Sequence, residues 1–160
     1  MSDIMNLIED FRTDCPCGRP HTTAIRDVRI ASGLVHHVGD ILKENGFAHT
    51  LLLVADRNTL RAADGITESL RDFSVEYKIY DDLRVAEMEQ VTAIEQRIAD
   101  REISVLSVGT GSVNDPCRLA AASSCFCCRS GGMITGSASC HHSRRERSFR
   151  ALIFLQKTSS

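Results

Sequence analysis

Residues 103–115 read ISVLSVGTGSVND, and the helix-like segment PCRLAAA follows at residues 116–122. The apolar run at residues 103–108 is typical of a buried parallel strand, and Gly109 and Gly111 mark a turn after it. A strand, a glycine turn and a helix N-terminus present unpaired backbone N–H groups and the positive end of the helix dipole. This stretch therefore predicts a strand–turn–helix unit with an anion site, suited to pyrophosphate, at its turn.

The two glycines of this turn would let the backbone approach phosphate oxygens with no Cβ in the way, and Ser112 could donate its hydroxyl. Asn114 stands where the motif G-x-G-x-x-G has its third glycine. A plain turn that closes a strand–helix unit therefore stays open as the alternative. Asn114 or Asp115 is expected to cap the helix, with Pro116 in its first turn.

Strand-like and helix-like patterns alternate along residues 1–123. Strands are predicted at residues 25–30, 49–56, 74–80 and 103–108, and helices at residues 2–13, 34–46, 57–73, 85–100 and from 116 onward. The helix at 57–73 is expected to run through Gly65, and the helix at 85–100 to bury Met88, Val91, Ile94 and Ile98. This order predicts an α/β fold with a Rossmann-like parallel sheet and flanking helices.

Asp56 ends the apolar strand HTLLLVAD at residues 49–56. Ligands of open parallel sheets bind beyond the carboxyl ends of the strands, where an acid can accept hydrogen bonds from ribose hydroxyls and disfavour a 2′-phosphate. The alternative is an Asx turn or a cap for the next helix, shared with Asn58 and Thr59. The residues alone leave both interpretations open.

Composition excludes several classes of protein. The chain has 160 residues, 42% hydrophobic and 25% charged, with net charge -2, which suits one globular domain and disfavours a nucleic-acid binder. The sequence contains no run of eighteen apolar residues, the length that a membrane-spanning helix needs, and acids near the N-terminus disfavour a secretory signal. We therefore expect a cytoplasmic location, with the seven cysteines mostly reduced.

Charge and cysteine content divide the chain near residue 123. Residues 124–160 carry a net charge of +5 and four of the seven cysteines, whereas residues 1–123 carry -7. We expect a dinucleotide-binding domain at 1–123 and an atypical tail at 124–160. The abrupt change in composition indicates truncation, or a tail translated from a shifted frame or from retained non-coding sequence. Little regular structure is expected in the tail apart from ALIFL at residues 151–155.

No metal site and no catalytic residue is predicted. Cys15, Cys17 and His21 form C-x-C-x3-H in a Pro/Gly loop that lacks a fourth ligand, so packed or incidental cysteines are favoured over zinc. The cysteines and histidines of the tail match no zinc knuckle. No Ser/His/Asp or paired-carboxylate arrangement stands out.

Three stretches together resemble one family. They are CPCGRPH at 15–21, LLLVADRNTLRAADG at 51–65 and VLSVGTGSVNDPCRLAAA at 105–122. They resemble the N-terminal half of sn-glycerol-1-phosphate dehydrogenase-like proteins, in the iron-containing alcohol dehydrogenase and dehydroquinate synthase superfamily. The most specific pieces are A-D-x-N-T and G-x-G-S-x-N-D.

The resemblance implies a cofactor-binding domain that the family follows with a larger helical domain, which we expect to be absent here. Such enzymes reduce dihydroxyacetone phosphate to sn-glycerol 1-phosphate with NADH or NADPH, assisted by a divalent metal. Asp56 would contact the adenine ribose. The pyrophosphate loop would comprise Gly109, Thr110, Gly111, Ser112 and Val113, with Asp115 at its end, near the nicotinamide or capping the helix.

The leading interpretation is the cofactor-binding half of an NAD(P)-dependent polyol-phosphate dehydrogenase, inactive on its own. A fragment of a dehydroquinate synthase-like lyase would bind NAD through the same loop. A non-enzymatic nucleotide-binding or interaction fragment and a small zinc module are further alternatives. Self-association is expected, since loss of a helical domain would expose apolar surface.

Overall fold

The computed structural model describes residues 6, 7, 10, 16–19, 27–99 and 101–123, together with the backbone of residues 152–154. Asn6, Leu7 and Asp10 are helical, as predicted. The remainder of that first helix lies outside the described residues, and so do residues 15, 20 and 21 of the loop at 15–21. The same holds for most of the tail, so the predicted boundary at residue 123 stays a prediction.

The described residues form strands and helices in alternation. The strands are β1 (Asp27–Arg29), β2 (Thr50–Asp56), β3 (Ser74–Tyr80), β4 (Ser104–Val108) and β5 (Leu152–Phe154). The α-helices are α1 (Val38–Glu44), α2 (Arg57–Ala62), α3 (Ile66–Ser69), α4 (Met88–Ile98) and α5 (Gly111–Ser123), and a 3-10 helix (Leu34–His37) leads into α1. They belong to two compact units, the first within 1–47, 64–72 and 150–160, the second within 48–63 and 73–149.

A three-stranded parallel sheet forms the centre of the second unit, in the order β3-β2-β4. Leu53 of β2 is in register with Tyr77 of β3 on one side and with Leu106 of β4 on the other. β2 is buried from Leu51 to Asp56, because a parallel strand in the middle of a sheet is covered on both faces. The predicted Rossmann-like α/β fold is therefore confirmed.

α4 and α5 pack against one face of this sheet. The buried side chains of that core are Leu52, Val54, Leu83, Val91, Ile94, Ile98, Val113, Cys117 and Ala120. Met88 was expected to join them, but this expectation is wrong, since its side chain is 65% exposed. The reason is its place as the first residue of α4, nearly one turn before the first core residue, Val91. No helix among the described residues combines the length and apolar character that crossing a membrane needs.

The expected helix at 57–73 is interrupted, so that prediction is wrong in part. α2 ends at Ala62, and α3 begins at Ile66. Gly65 between them has a φ of 88°, in the left-handed region that L side chains rarely adopt. The helix-like spacing of apolar residues continues across this position, but the helical backbone conformation does not.

In the first unit, α1 buries Val38, Ile41 and Leu42. The Gly39 N–H donates to the Ser69 hydroxyl at the end of α3, at 2.8 Å. Gly46, with a φ of 66°, lies just past the end of α1 as predicted. The backbone of residues 152–154, within ALIFL, pairs in parallel with β1.

Cys117 makes the stability of the core depend on pH. Burial raises the pKa of its thiol from 9.0 to about 12. Above pH 9 the unfolded chain therefore loses this proton while the native chain keeps it. The unfolded state then binds fewer protons, and the free energy of unfolding falls with a slope that approaches about 1.4 kcal/mol per pH unit near pH 10 from this group.

Urea unfolding between pH 8 and 10.5 checks this expectation, with Cys117→Ala as the matched variant. The variant starts from a lower stability because of its cavity, but its decline with pH is shallower than that of the wild type. Equal slopes for the two proteins would show that the thiol does not carry the effect.

Candidate functional site

The strand order places the candidate site at the carboxyl ends of β2 and β4. The chain leaves β2 towards β3 on one side and then crosses to β4 on the other side of β2. The connections thus diverge between β2 and β4, and open α/β sheets bind ligands in the crevice at such a point. Asp56 ends β2, and the Gly109 turn follows β4.

Asp56 is the N-cap of α2. Its Oδ1 accepts hydrogen bonds from the backbone N–H groups of Asn58 and Thr59, both at 2.8 Å. This is the capping interpretation that the sequence left open. Oδ2 accepts no hydrogen bond from the part of the chain that the structure describes. Capping therefore occupies one oxygen of this buried carboxylate, and the second stays available to a ligand.

Thr59 ties the ends of the two strands together. Its hydroxyl donates to the carbonyl oxygen of Val108, the last residue of β4, at 2.7 Å. The hydroxyl oxygen of Thr59 in turn accepts the N–H of Asp56 at 3.2 Å. From the sequence, Thr59 is expected to share in capping, but no contact with β4 is predicted for it. The first turn of α2 therefore holds Asp56 and the Gly109 turn side by side.

α5 begins earlier than the sequence indicated. The carbonyl oxygen of Thr110 accepts the N–H groups of Val113 and Asn114, at 3.0 and 2.9 Å, and the first helical residue is Gly111. Among the described residues, the N–H groups of Gly111 and Ser112 have no acceptor. Two unpaired donors at the positive end of the helix dipole suit an anion.

The expected caps are therefore wrong. Asn114, Asp115 and Pro116 all lie inside α5. The side chain of Asn114 instead accepts the hydroxyl of Ser107 and donates to the carbonyl of Gly109. Asn114 thus holds the glycine turn against β4 and does not start the helix.

The two glycines of the turn differ in the space around them. A Cβ on Gly109 would lie 2.7 Å from Cγ2 of Val113 and 3.3 Å from the hydroxyl of Thr59. Of the atoms of the described residues, a Cβ on Gly111 would meet only a carboxylate oxygen of Asp115, at 3.8 Å. Gly109 is thus required by the approach of α5 to β4. The space beside Gly111 is open to a ligand.

The other residues of the predicted loop have distinct surroundings. The hydroxyl of Ser112 donates to the carbonyl of Leu83 at 2.8 Å, so its backbone N–H is the group left for a ligand. The hydroxyls of Thr110 and Ser112 lie 3.2 Å apart. Val113 is fully buried and its N–H is bonded, so it holds the helix in place.

Asp115 is on an exposed face of α5, with one carboxylate oxygen 4.0 Å from the guanidinium of Arg118. Its carboxylate caps no backbone group among the described residues. The other carboxylate oxygen lies on the Gly111 side of the helix. A role near the nicotinamide stays a prediction.

A metal does not fit this site as described. Residues 27–99 and 101–123 contain no group of three or more His, Cys, Asp or Glu side chains placed to hold an ion. Cys117 is 2% exposed, and burial raises the pKa of its thiol, so it stays protonated within the core. The N–H groups of Gly111 and Ser112 are of the kind that binds phosphate, and Oδ2 of Asp56 is of the kind that accepts hydrogen bonds from ribose hydroxyls.

A parallel sheet with a glycine turn and a helix N-terminus beside a strand-end acid is an arrangement typical of dinucleotide-binding α/β proteins. The family model described as iron-containing alcohol dehydrogenase matches residues 29–126, more than half of the chain. The chain therefore belongs to the iron-containing alcohol dehydrogenase family, which in general comprises oxidoreductases that use NAD(P) and a metal. Comparison with curated proteins and with solved structures gives no match.

The packing of the turn predicts that replacing glycine by alanine affects stability differently at Gly109 and at Gly111. Gly109→Ala forces a Cβ against Val113 and Thr59, and overpacking of this kind costs about 1–3 kcal/mol. Gly111→Ala enters open space on a helix, where alanine is favoured over glycine by up to about 1 kcal/mol. We expect a large loss for the first variant and none for the second in urea unfolding. Equal losses would contradict the described packing of the turn.

Proposed function

We propose that the carboxyl edge of β2 and β4 binds the adenosine and pyrophosphate parts of NAD(P). The open space beside Gly111, next to two unpaired N–H groups, is the observation that carries this proposal. A phosphate oxygen there accepts both hydrogen bonds and lies at the positive end of α5.

The ribose end of the dinucleotide is assigned to Asp56. Its Oδ1 is fixed by two backbone N–H groups, so the carboxylate is held in one orientation before a ligand arrives. Its Oδ2 then accepts hydrogen bonds from the ribose hydroxyls. A 2′-phosphate would meet this negative charge, so the arrangement favours NAD over NADP.

The substrate proposal rests on the resemblance in residues 15–123. We propose that the parent activity is the reduction of dihydroxyacetone phosphate to sn-glycerol 1-phosphate, with residues 1–123 as the cofactor-binding part. A bound metal would polarise the carbonyl of such a substrate. The described residues provide no group for that ion, so they contribute cofactor binding and orientation.

Gly111→Val tests the phosphate site. A branched side chain fills the open space, so the Kd for NADH rises at least about tenfold, equivalent to 1.4 kcal/mol. Calorimetric titration measures it, and Thr67→Val on the exposed face of α3 is the matched control. NADH binding equal to that of the control would make the turn purely structural.

Asp56→Asn tests the ribose contact without removing the helix cap. Asparagine caps as well as aspartate but carries no charge. The Kd for NADH is expected to rise. NADPH is no longer repelled, because the negative charge that faced its 2′-phosphate is gone, so the preference for NADH over NADPH falls. Asp64→Asn, an exposed acid after α2, controls for the change in net charge. An unchanged ratio of the two affinities would leave Asp56 as a cap alone.

Turnover by the 160-residue chain tests its role as a cofactor-binding part. Oxidation of NADH is followed at 340 nm, a wavelength at which the reduced nicotinamide absorbs, with dihydroxyacetone phosphate and added zinc, nickel or iron. We expect NADH to bind without turnover. Metal-dependent turnover would show that residues outside the described ranges complete an active site.

A further inference from the structure

Within the described part of the chain, β3 is an edge strand that presents exposed apolar side chains. Among the described residues it pairs only with β2. Tyr77 and Ile79 are 42% and 38% exposed, on the same face of the strand as Val75. An edge strand with exposed apolar side chains and no proline is a template for pairing with another strand.

The direction of the backbone groups on β3 can be assigned. The N–H of Ser74 donates to the carbonyl of His49, just before β2, so Ser74 faces the interior of the sheet. Backbone groups alternate in direction along a strand, so those of Val75, Tyr77 and Ile79 face outward. The guanidinium of Arg97 reaches the Tyr77 carbonyl at 3.3 Å. A carbonyl oxygen has two lone pairs, so this contact leaves room for a second donor.

The sequence of β3, SVEYKIY, is self-complementary about Tyr77. When two copies run antiparallel with Tyr77 opposite Tyr77, Val75 lies opposite Ile79. In the same register Glu76 lies opposite Lys78, twice in the pair. Aromatic, apolar and opposite-charge cross-strand pairs all stabilise antiparallel strands.

We propose that a second copy of this chain pairs antiparallel with β3, about a two-fold axis at Tyr77. The outward groups of Val75, Tyr77 and Ile79 form the hydrogen-bonded pairs of the new ladder. Glu76 and Lys78 then occupy the non-hydrogen-bonded positions, where opposing side chains are closest. The three-stranded sheets of two protomers join into one six-stranded sheet, and the interface is isologous.

Charge also selects this register over its neighbours. A shift of two residues in one direction places Glu76 opposite Glu76, and a shift in the other direction places Lys78 opposite Lys78. Like charges directly opposite each other destabilise a strand pair. Of these three registers, the one centred on Tyr77 is therefore free of repulsion between opposing Glu76 or Lys78 side chains. A strand of unrelated sequence would not place opposite charges at these two positions.

The charges beside the new ladder are those of Glu76, Lys78, Arg97 and Arg101. Arg97 of each copy lies on its own Tyr77 carbonyl, so two like charges come near the axis, and the Glu76–Lys78 pairs must outweigh their repulsion. Glu76 is already ion-paired with Arg101 of its own chain, so its carboxylate would be shared by two cations. The Lys78 ammonium lies 4.9 Å from the ring centre of Tyr80 and has free donors. These groups are partly exposed, so added salt is expected to weaken the dimer.

Paired charge reversals of the 160-residue chain test the proposal. Glu76→Lys places two cations opposite each other, and Lys78→Glu places two carboxylates. Each variant alone is expected to raise the dimer Kd at least about tenfold, by 1.4 kcal/mol. A mixture of the two variants restores opposite charges at both pairs, so mixed dimers form. Sedimentation velocity over a concentration series gives each Kd, and native mass spectrometry counts the mixed dimers.

Two further variants control for folding and charge. Tyr77→Lys, with circular dichroism as the check of folding, brings two cations together at the axis without disturbing the Glu76–Arg101 pair, and should also abolish dimers. Arg61→Glu, on an exposed position of α2, should leave the dimer unchanged. A monomeric wild type, or folded variants that dimerise as the wild type does, would overturn the proposal. Failure of the mixture of folded variants to form mixed dimers would overturn it too.

Discussion

Complete burial of β2 is the constraint on which the second unit depends. From Leu51 to Asp56 every residue of this strand is buried, so it needs a hydrogen-bonded neighbour on each edge and cover on each face. Parallel neighbours bring all three carboxyl ends to the same edge of the sheet. Burial of one apolar strand thereby places Asp56 beside the turn that follows β4.

The turn after β4 shows how packing prepares a site without filling it. Gly109 is glycine because Val113 and Thr59 leave no room for a side chain. That close approach fixes the start of α5, where the N–H groups of Gly111 and Ser112 have no acceptor among the described residues. The site is therefore organised by contacts of the protein with itself, and a ligand need not reorder it.

Much of the fold of the second unit was predictable from sequence because its pattern is local. β2 and β4 are apolar runs, β3 alternates between apolar and charged residues, and the apolar residues of α4 recur on one face. Details of the site were not predictable, since they depend on contacts far apart in sequence. Thr59 and Val108 are 49 residues apart, and Leu83 and Ser112 are 29 apart. The start of α5 was misplaced because Asn114 and Pro116 are typical of a helix start, whereas Asn114 here bonds Ser107 and Gly109.

The central claim is that the N-terminus of α5 receives the pyrophosphate of a dinucleotide. Titration of the 15N-labelled chain with NAD tests it residue by residue, because an amide that donates to a phosphate changes its resonance frequency. The account predicts the largest shifts at Gly111 and Ser112, and none at Gly33 or Gly46 of the first unit. Saturable binding that leaves the amides of Gly111 and Ser112 unshifted would contradict it.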